Sequence, residues 1–385
     1  MRSVLHVITG LGVGGAEMML VKLVSELARR KYTSCVISLK GKPGGPIYQK
    51  LHELGIPVFC LDVTRPFSLP LRLYQLINFI RRSQPTVLQS WMYHGDFVGS
   101  FIGLIFRIPV IWNLRQSNLA KSHTKQTTLM LISVLARMSR RWPRRIICGS
   151  HAAKRVHVAK GYDEKKMVVI PNGFDLRQLN PPEDKIISLK RKLCLEKDTM
   201  VIGIVGRFDP QKDYLNFIKA SSIVFQRFPQ VKLVMCGTGI SAENKILYEW
   251  LKQFDLLEKA ILLGERNDIP VVMGMFTILV SSSLGEGFPN VIGEGMAAGL
   301  PCVVTNVGDS AYLVDDTGKV VPPKDPESLA EAIIEMIALP KELLEKKGLA
   351  GQKRIRECFS ISAVTKKYLD LYDELVQIPR KKQLG

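Results

Sequence analysis

Thirteen short, β-rich apolar runs separated by longer stretches of helical periodicity leave this chain few folds to choose from. The runs are residues 4–8, 35–39, 58–61, 86–89, 110–112, 146–148 and 168–170, then 201–205, 232–236, 261–263, 278–280, 302–305 and 319–321. Strands that alternate with helices are joined by right-handed crossovers and build mostly parallel sheets. A chain of 385 residues has room for two such sheets. The spacing therefore predicts two doubly wound α/β domains. The stretch PNGFDLRQLNPPE (171–183), rich in turn formers, is the expected linker. Hydrophobic residues at 46% and charged residues at 23% exclude a disordered or fibrous chain.

The mean hydropathy, +0.09, raises the question of membranes. The longest apolar run, 97–106, stops at Arg107 and is too short to cross a bilayer. The opening MRSVLHVITGLGVGG reads as a buried strand entering a glycine loop rather than a signal peptide. Seven widely spaced cysteines with no CxxC pair argue against a zinc site or a disulfide framework and for a reducing cytoplasm.

Charge is unevenly distributed. Residues 1–180 hold 27 basic and 8 acidic side chains, the whole of the net charge of +19, whereas 181–385 hold 27 of each. A basic half joined to a neutral one implies an anionic partner for the first half, either nucleic acid or an anionic membrane surface. Within residues 129–145, Leu131, Leu135, Met138 and Trp142 fall at helical spacing, with Arg137, Arg140 and Arg141 on another face. Such a helix can lie in a headgroup region. It can equally be a packed helix with a solvated basic face.

The first half opens with Gly10, Gly12 and Gly15 in a GxGxxG pattern between a strand and a helix, where backbone N–H groups can face a phosphate. A dinucleotide site also needs an acid at the end of the second strand. Here that strand ends Ser38-Leu39-Lys40-Gly41-Lys42, which leaves only NADP among such cofactors. The second half carries the sharper pattern. Gly206-Arg207-Phe208-Asp209-Pro210-Gln211-Lys212 follows a strand and opens a helix, placing two cations where both can reach a diphosphate. Farther on, SSSLGEGFPNVIGEGMAAGLPCVVT sets Glu286 on a loop at the carboxyl end of a strand and Glu294 two turns into the following helix. Open α/β sheets bind ligands at that edge.

These motifs, with Gly14-Gly15-Ala16-Glu17, the PNGFD linker and the closing TGKVVPPKDPESLAEAI, resemble glycosyltransferase family 4, retaining enzymes of the GT-B fold. The resemblance covers most of the chain. It implies two Rossmann-like domains facing across a cleft: residues 1–176 for the acceptor, with a helix at about 361–385 packing back on them, and residues 177–360 for the nucleotide-sugar donor. It implies that Arg207 and Lys212 meet the donor diphosphate, that Glu286, with the backbone at Gly287 and Phe288, holds the donor sugar, and that Gly206, Pro289 and Asn290 also bind the donor. Glu294 would bind the ribose, and Gly12, Gly14 and Gly15 would approach the reacting centre. Relatives place a histidine near that centre at the end of the fifth strand, where this chain reads Trp112-Asn113-Leu114-Arg115-Gln116-Ser117. Arg115, or His94 after the fourth strand, is the candidate replacement.

The expected activity is transfer of a hexosyl or N-acetylhexosaminyl group from a nucleotide sugar such as a UDP-sugar, with retention. The expected acceptor is a saccharide or lipid-linked saccharide in cell-surface glycan synthesis. The resemblance implies that neither metal nor other cofactor is needed, the cations taking the metal's place, and the lack of a DxD pair is consistent with that. The expected place is the cytoplasm, peripheral on the inner face of the cell membrane through the basic half, with no nucleic acid bound. The alternatives are an NADP-dependent oxidoreductase, which leaves the cations and glutamates of the second half unexplained, and a basic nucleic-acid-binding protein, for which no motif is present.

Overall fold

The computed structural model describes residues 2–41, 43–62, 69–119 and 125–377. The chain divides into two compact units, residues 1–173 with 361–385, and residues 174–360. Phe174, near the end of the segment the sequence gives to the first domain, belongs to the second unit: its N–H donates to the Phe359 carbonyl at 2.9 Å, and its ring packs on Gly293. The two passages of the chain run side by side, with Phe174 paired to Ser360 and Gly173 packed on Ile361.

The first unit is built on seven strands: β1 (Ser3–Ile8), β2 (Thr33–Ser38), β3 (Val58–Cys60), β4 (Val87–Trp91), β5 (Val110–Leu114), β6 (Arg145–Cys148) and β7 (Met167–Val169). They lie in the order β3-β2-β1-β4-β5-β6-β7, and every pair is parallel. The second unit has six: β8 (Val201–Val205), β9 (Lys232–Cys236), β10 (Ala260–Leu262), β11 (Ile278–Ser281), β12 (Cys302–Thr305) and β13 (Lys319–Val321). Their order is β10-β9-β8-β11-β12-β13, again all parallel. The central strands, covered on both faces, are buried almost throughout and read as continuous apolar runs, whereas the edge strands β3, β7, β10 and β13 are only partly buried. All thirteen expected strands are present, and the helices of the second unit are α7 (Glu183–Lys192), α8 (Tyr214–Arg227), α9 (Lys245–Gln253), α10 (Ile269–Met273), α11 (Asn290–Ala297), α12 (Ser310–Val314), α13 (Pro326–Ile337) and α14 (Lys341–Arg354).

Helices cover both faces of the first sheet. On one face α1 (Gly15–Arg29), α2 (Pro46–Glu53) and α15 (Ile361–Gln377) pack on Val4, Val36, Val87 and Ile111. On the other, α3 (Leu69–Ser83), α4 (Met92–Phe106), α5 (Gln126–Met138) and α6 (His151–Ala159) pack on Leu5, Ile37, Leu88, Val110 and Trp112. The α5 segment corrects one expectation. The helix ends at Met138, and Ser139 fastens that end, its hydroxyl donating to the Ala136 carbonyl at 2.6 Å and accepting from Asp163 N–H at 2.9 Å. Leu135 is fully buried, and Leu131, Met138 and Trp142 pack on the core, Trp142 edge-on to Phe101 at 4.9 Å. That stripe is core and is not free to enter a bilayer.

Candidate active site

In the second unit, β8 delivers the chain to Gly206, whose N–H donates to the Cys236 carbonyl at 2.8 Å. Asp209 caps the turn Pro210–Lys212 by accepting from Gln211 N–H at 2.9 Å; that bond, and the Arg207 guanidinium, hold its carboxyl below the usual range. Asp213, in the left-handed region at φ 47°, starts α8 (Tyr214–Arg227) by accepting from Asn216 N–H. The two caps fix where Lys212 stands. Its Nζ donates to Glu286 Oε1 at 2.6 Å, with Lys212 26% and Glu286 14% exposed at the side chain.

Glu286 comes from the loop between β11 and α11 (Asn290–Ala297), and that loop is tied from several directions. Ser283 Oγ donates to the same Glu286 oxygen at 2.8 Å, Ser282 Oγ to the Lys212 carbonyl at 2.8 Å, and Thr305 Oγ1 to the Ser283 carbonyl at 2.6 Å. Asp309 N–H donates to the Gly287 carbonyl at 3.1 Å. The Phe288 ring stands 6.1 Å from Phe174 and 5.9 Å from Phe359, against the segments where the chain passes between units. The result is a cavity of about 190 Å³ whose lining includes Lys212, Tyr214, Ser283, Glu286, Phe288 and Asn290. Pro289 lines it as well. A carboxylate braced by an ammonium and a hydroxyl can receive a sugar hydroxyl, and the ammonium beside it can meet a phosphate oxygen.

The other two charged candidates of this unit, Glu294 and Arg207, do not line that cavity. Glu294 stands on α11 four residues beyond Asn290, on the same face of the helix and half-buried. Arg207 is 68% exposed and donates to Asp209 at 3.1 Å, outside the cavity lining. Ser282, Ser283 and Thr305 were missed as contributors. The SSS run before GEGFPN was the available signal, but a serine's partner is a matter of three-dimensional packing.

In the first unit, the glycine loop leads from β1 into α1. A Cβ at Gly14 would sit 2.5 Å from Glu17 Oε2, so Gly14 serves the helix start. At Gly12 and Gly15 a Cβ would meet nothing within 4 Å, and neither has a positive φ. Neither glycine is demanded by the unit's own packing, which keeps space open at the carboxyl edge of the sheet. His94 occupies the first turn of α4 beside Met92, held in the left-handed region at φ 64°. It is exposed, and partial burial, then the charge of Lys40, lower its pKa, favouring the neutral ring.

Arg115 has different surroundings. Its Nε donates to Asn113 Oδ1 at 2.9 Å, Nη1 to Asn172 Oδ1 at 2.6 Å and Nη2 to the Tyr368 hydroxyl, while the guanidinium lies 5.6 Å over the Trp91 ring. It joins the end of β5 to the segment leaving the unit and to α15.

Comparison with known proteins identifies the family. Residues 13–178 match the family described as "Glycosyltransferase Family 4" and residues 199–338 that described as "Glycosyl transferases group 1". The chain is 25% identical, over 88% of its length and 89% of the relative's, to the UDP-Gal:alpha-D-GlcNAc-diphosphoundecaprenol alpha-1,3-galactosyltransferase of Escherichia coli. It is 24% identical, over 79% of its length and 81% of the relative's, to the capsular polysaccharide biosynthesis glycosyltransferase CapM of Staphylococcus aureus. Its backbone matches that of Anabaena HepE, solved in complex with UDP, at a TM-score of 0.82 and 22% identity, over 97% of this chain and all of the other. With two doubly wound parallel-sheet units of the GT-B type and family matches in both, the chain belongs to glycosyltransferase family 4 and is a glycosyltransferase.

Proposed function

We propose that the chain moves a hexosyl or N-acetylhexosaminyl group from a UDP-sugar, with retention and without a metal ion, to a lipid-linked saccharide during cell-surface polysaccharide synthesis. The observation that carries this reading is the Lys212–Glu286 pair in its cavity at the carboxyl ends of β8 and β11. Lys212, with Arg207 swinging from Asp209, stabilises charge on the departing diphosphate, an effect that acts where charge develops. Glu286, with the backbone of Gly287 and Phe288, holds donor-sugar hydroxyls, and Glu294 receives the ribose diol. Gly206, at the end of β8, leaves backbone room for the phosphates.

The first unit takes the acceptor, with His94 as its polar group at the sheet edge and Arg115 as the residue that holds that edge in place. The Escherichia coli relative acts on a diphosphoundecaprenol-linked sugar, which supports a lipid-linked acceptor here. The excess of cations in the first half supports a cytoplasmic enzyme held peripherally at an anionic membrane. Among the described residues no helix is long and apolar enough to cross a membrane.

Calorimetric titration with UDP, GDP and ADP in the presence of EDTA tests the donor reading. UDP binding that Glu294→Ala weakens about tenfold or more is expected for loss of a bond to the ribose. No binding of any of the three would sink it. The anomeric configuration of the product, read by NMR, tests retention.

A further inference from the structure

The α3–α6 layer of the first unit has an outer surface that its core does not use. Among the described residues, nine of the twelve large apolar side chains that the first unit exposes stand on α3, α4 and α5. The most exposed are Leu71 (62%) and Tyr74 (63%) on α3, Leu104 (62%) and Ile105 (72%) on α4, and Met130 (66%) on α5, with Val134 (43%) one turn along. The layer on the opposite face of the same sheet exposes far fewer, although it buries a core of similar makeup. Exposed apolar surface on this scale marks a contact with something.

The charge around it names the partner. Between Asp62 and Asp163 the sequence has sixteen lysines and arginines and a single acidic residue, Asp96. Asp96 is fully buried, its carboxylate accepting from Ser90 Oγ at 2.6 Å, so it does not neutralise the surface. Arg107 follows α4, Arg137 is in the last turn of α5, and Arg140 and Arg141 follow it, all four exposed. Leucine, isoleucine and methionine interleaved with arginine, and no surface carboxylate within the layer, is the chemistry of a helix face lying at a headgroup boundary. A nucleic-acid surface needs the cations but not the exposed aliphatic side chains.

We propose that the outer face of α3, α4 and α5 is a docking surface for an anionic bilayer, with Leu104, Ile105, Met130 and Tyr74 entering the headgroup region and Arg107, Arg137, Arg140 and Arg141 against lipid phosphates. This deepens the reading of a lipid-linked acceptor, because the acceptor unit is then the one held at the membrane, but the surface chemistry carries it independently of the donor.

The test is flotation of the full chain with vesicles of phosphatidylglycerol and phosphatidylcholine, or of phosphatidylcholine alone, with neither donor nor acceptor added. The wild type is expected to float with the anionic vesicles and about tenfold less with the neutral ones. Leu104→Glu with Ile105→Glu, and separately Arg140→Ala with Arg141→Ala, are each expected to lower the bound fraction on anionic vesicles about tenfold or more. Leu349→Glu, 63% exposed in the second unit, is the control expected to change nothing. Each variant is assayed for UDP binding by calorimetry, which reports folding of the second unit and separates failure of docking from failure of the donor reading. Equal flotation on both vesicles overturns the proposal, as does wild-type flotation of both double variants. Tighter binding to duplex DNA or RNA than to anionic vesicles, unchanged by Leu104→Glu with Ile105→Glu, would make this a nucleic-acid surface instead.

Discussion

Lys212 and Arg115 are both cations near the carboxyl edge of a parallel sheet, and their neighbours give them different work. Lys212 faces a carboxylate in a cavity with room for a ligand, whereas the donors of Arg115 end on Asn113, Asn172 and Tyr368. Lys212→Ala is therefore expected to lower kcat/KM by about a hundredfold or more, as for loss of one group facing developing charge, and to lower the melting temperature as well, because the mostly buried Glu286 loses its cation. Arg115→Ala is expected to destabilise the protein by about 2 kcal/mol, read by urea unfolding, because it removes three hydrogen bonds that join β5 to residue Asn172 and to α15. Two buried histidines give the first unit an acid limit. His157 donates from Nδ1 to the Ala153 carbonyl at 2.7 Å and accepts at Nε2 from the Tyr93 hydroxyl at 2.9 Å, so it is held neutral, and burial lowers its pKa to about 4. Burial lowers His6 to about 3. The unfolded chain takes up protons below about pH 6.5 and these folded sites do not, so stability is full above that pH and falls below it. The expected loss between pH 6.5 and 4 approaches about 1.4 kcal/mol per pH unit for each histidine. Urea unfolding at pH 7 and pH 5 checks it, and His157→Gln should make the difference smaller.

At the scale of elements, the two glycine loops separate conformational need from ligand space. Gly308 has φ +58°, and a Cβ there would lie 2.2 Å from the Glu286 carbonyl oxygen. Gly308→Ala is expected to cost about 1–2 kcal/mol of backbone strain and to displace the loop carrying Glu286, so both stability and UDP affinity fall. Gly12→Ala meets no atom of the chain, so it should melt like the wild type while losing transfer activity; a variant as active as wild type would remove this loop from the reaction. The strands themselves were legible, since burial on both faces writes them as apolar runs. Their ends were less so. The expected strand 110–112 continues to Leu114 because Asn113 and Leu114 pair with Ile147 and Cys148, and the Asn113 amide finds the Tyr368 hydroxyl at 3.2 Å. A polar residue reads as a strand end until its distant partner is known.

Across the whole molecule, the last helix belongs to the first unit although the second unit separates them in sequence. Val364, Tyr368, Tyr372 and Leu375 of α15 are buried in the core that also holds Leu20, Leu23 and Trp91. Removing residues 361–385 is expected to lower the melting temperature of the first unit by more than about 10 °C, or to leave it insoluble, while UDP binding by the second unit survives. Calorimetric scanning with and without UDP distinguishes these outcomes. By itself the sequence determined two parallel-sheet units, the order of their elements and the loops that bear Lys212 and Glu286, because period, turn chemistry and glycine placement are local properties. It also determined that the first half is basic. Only the tertiary structure decided which apolar stripe of that half is core and which face is left outside, and that Arg115 is held by a tyrosine 253 residues away. Those outcomes depend on contacts between distant segments, and no local pattern encodes which segments will meet.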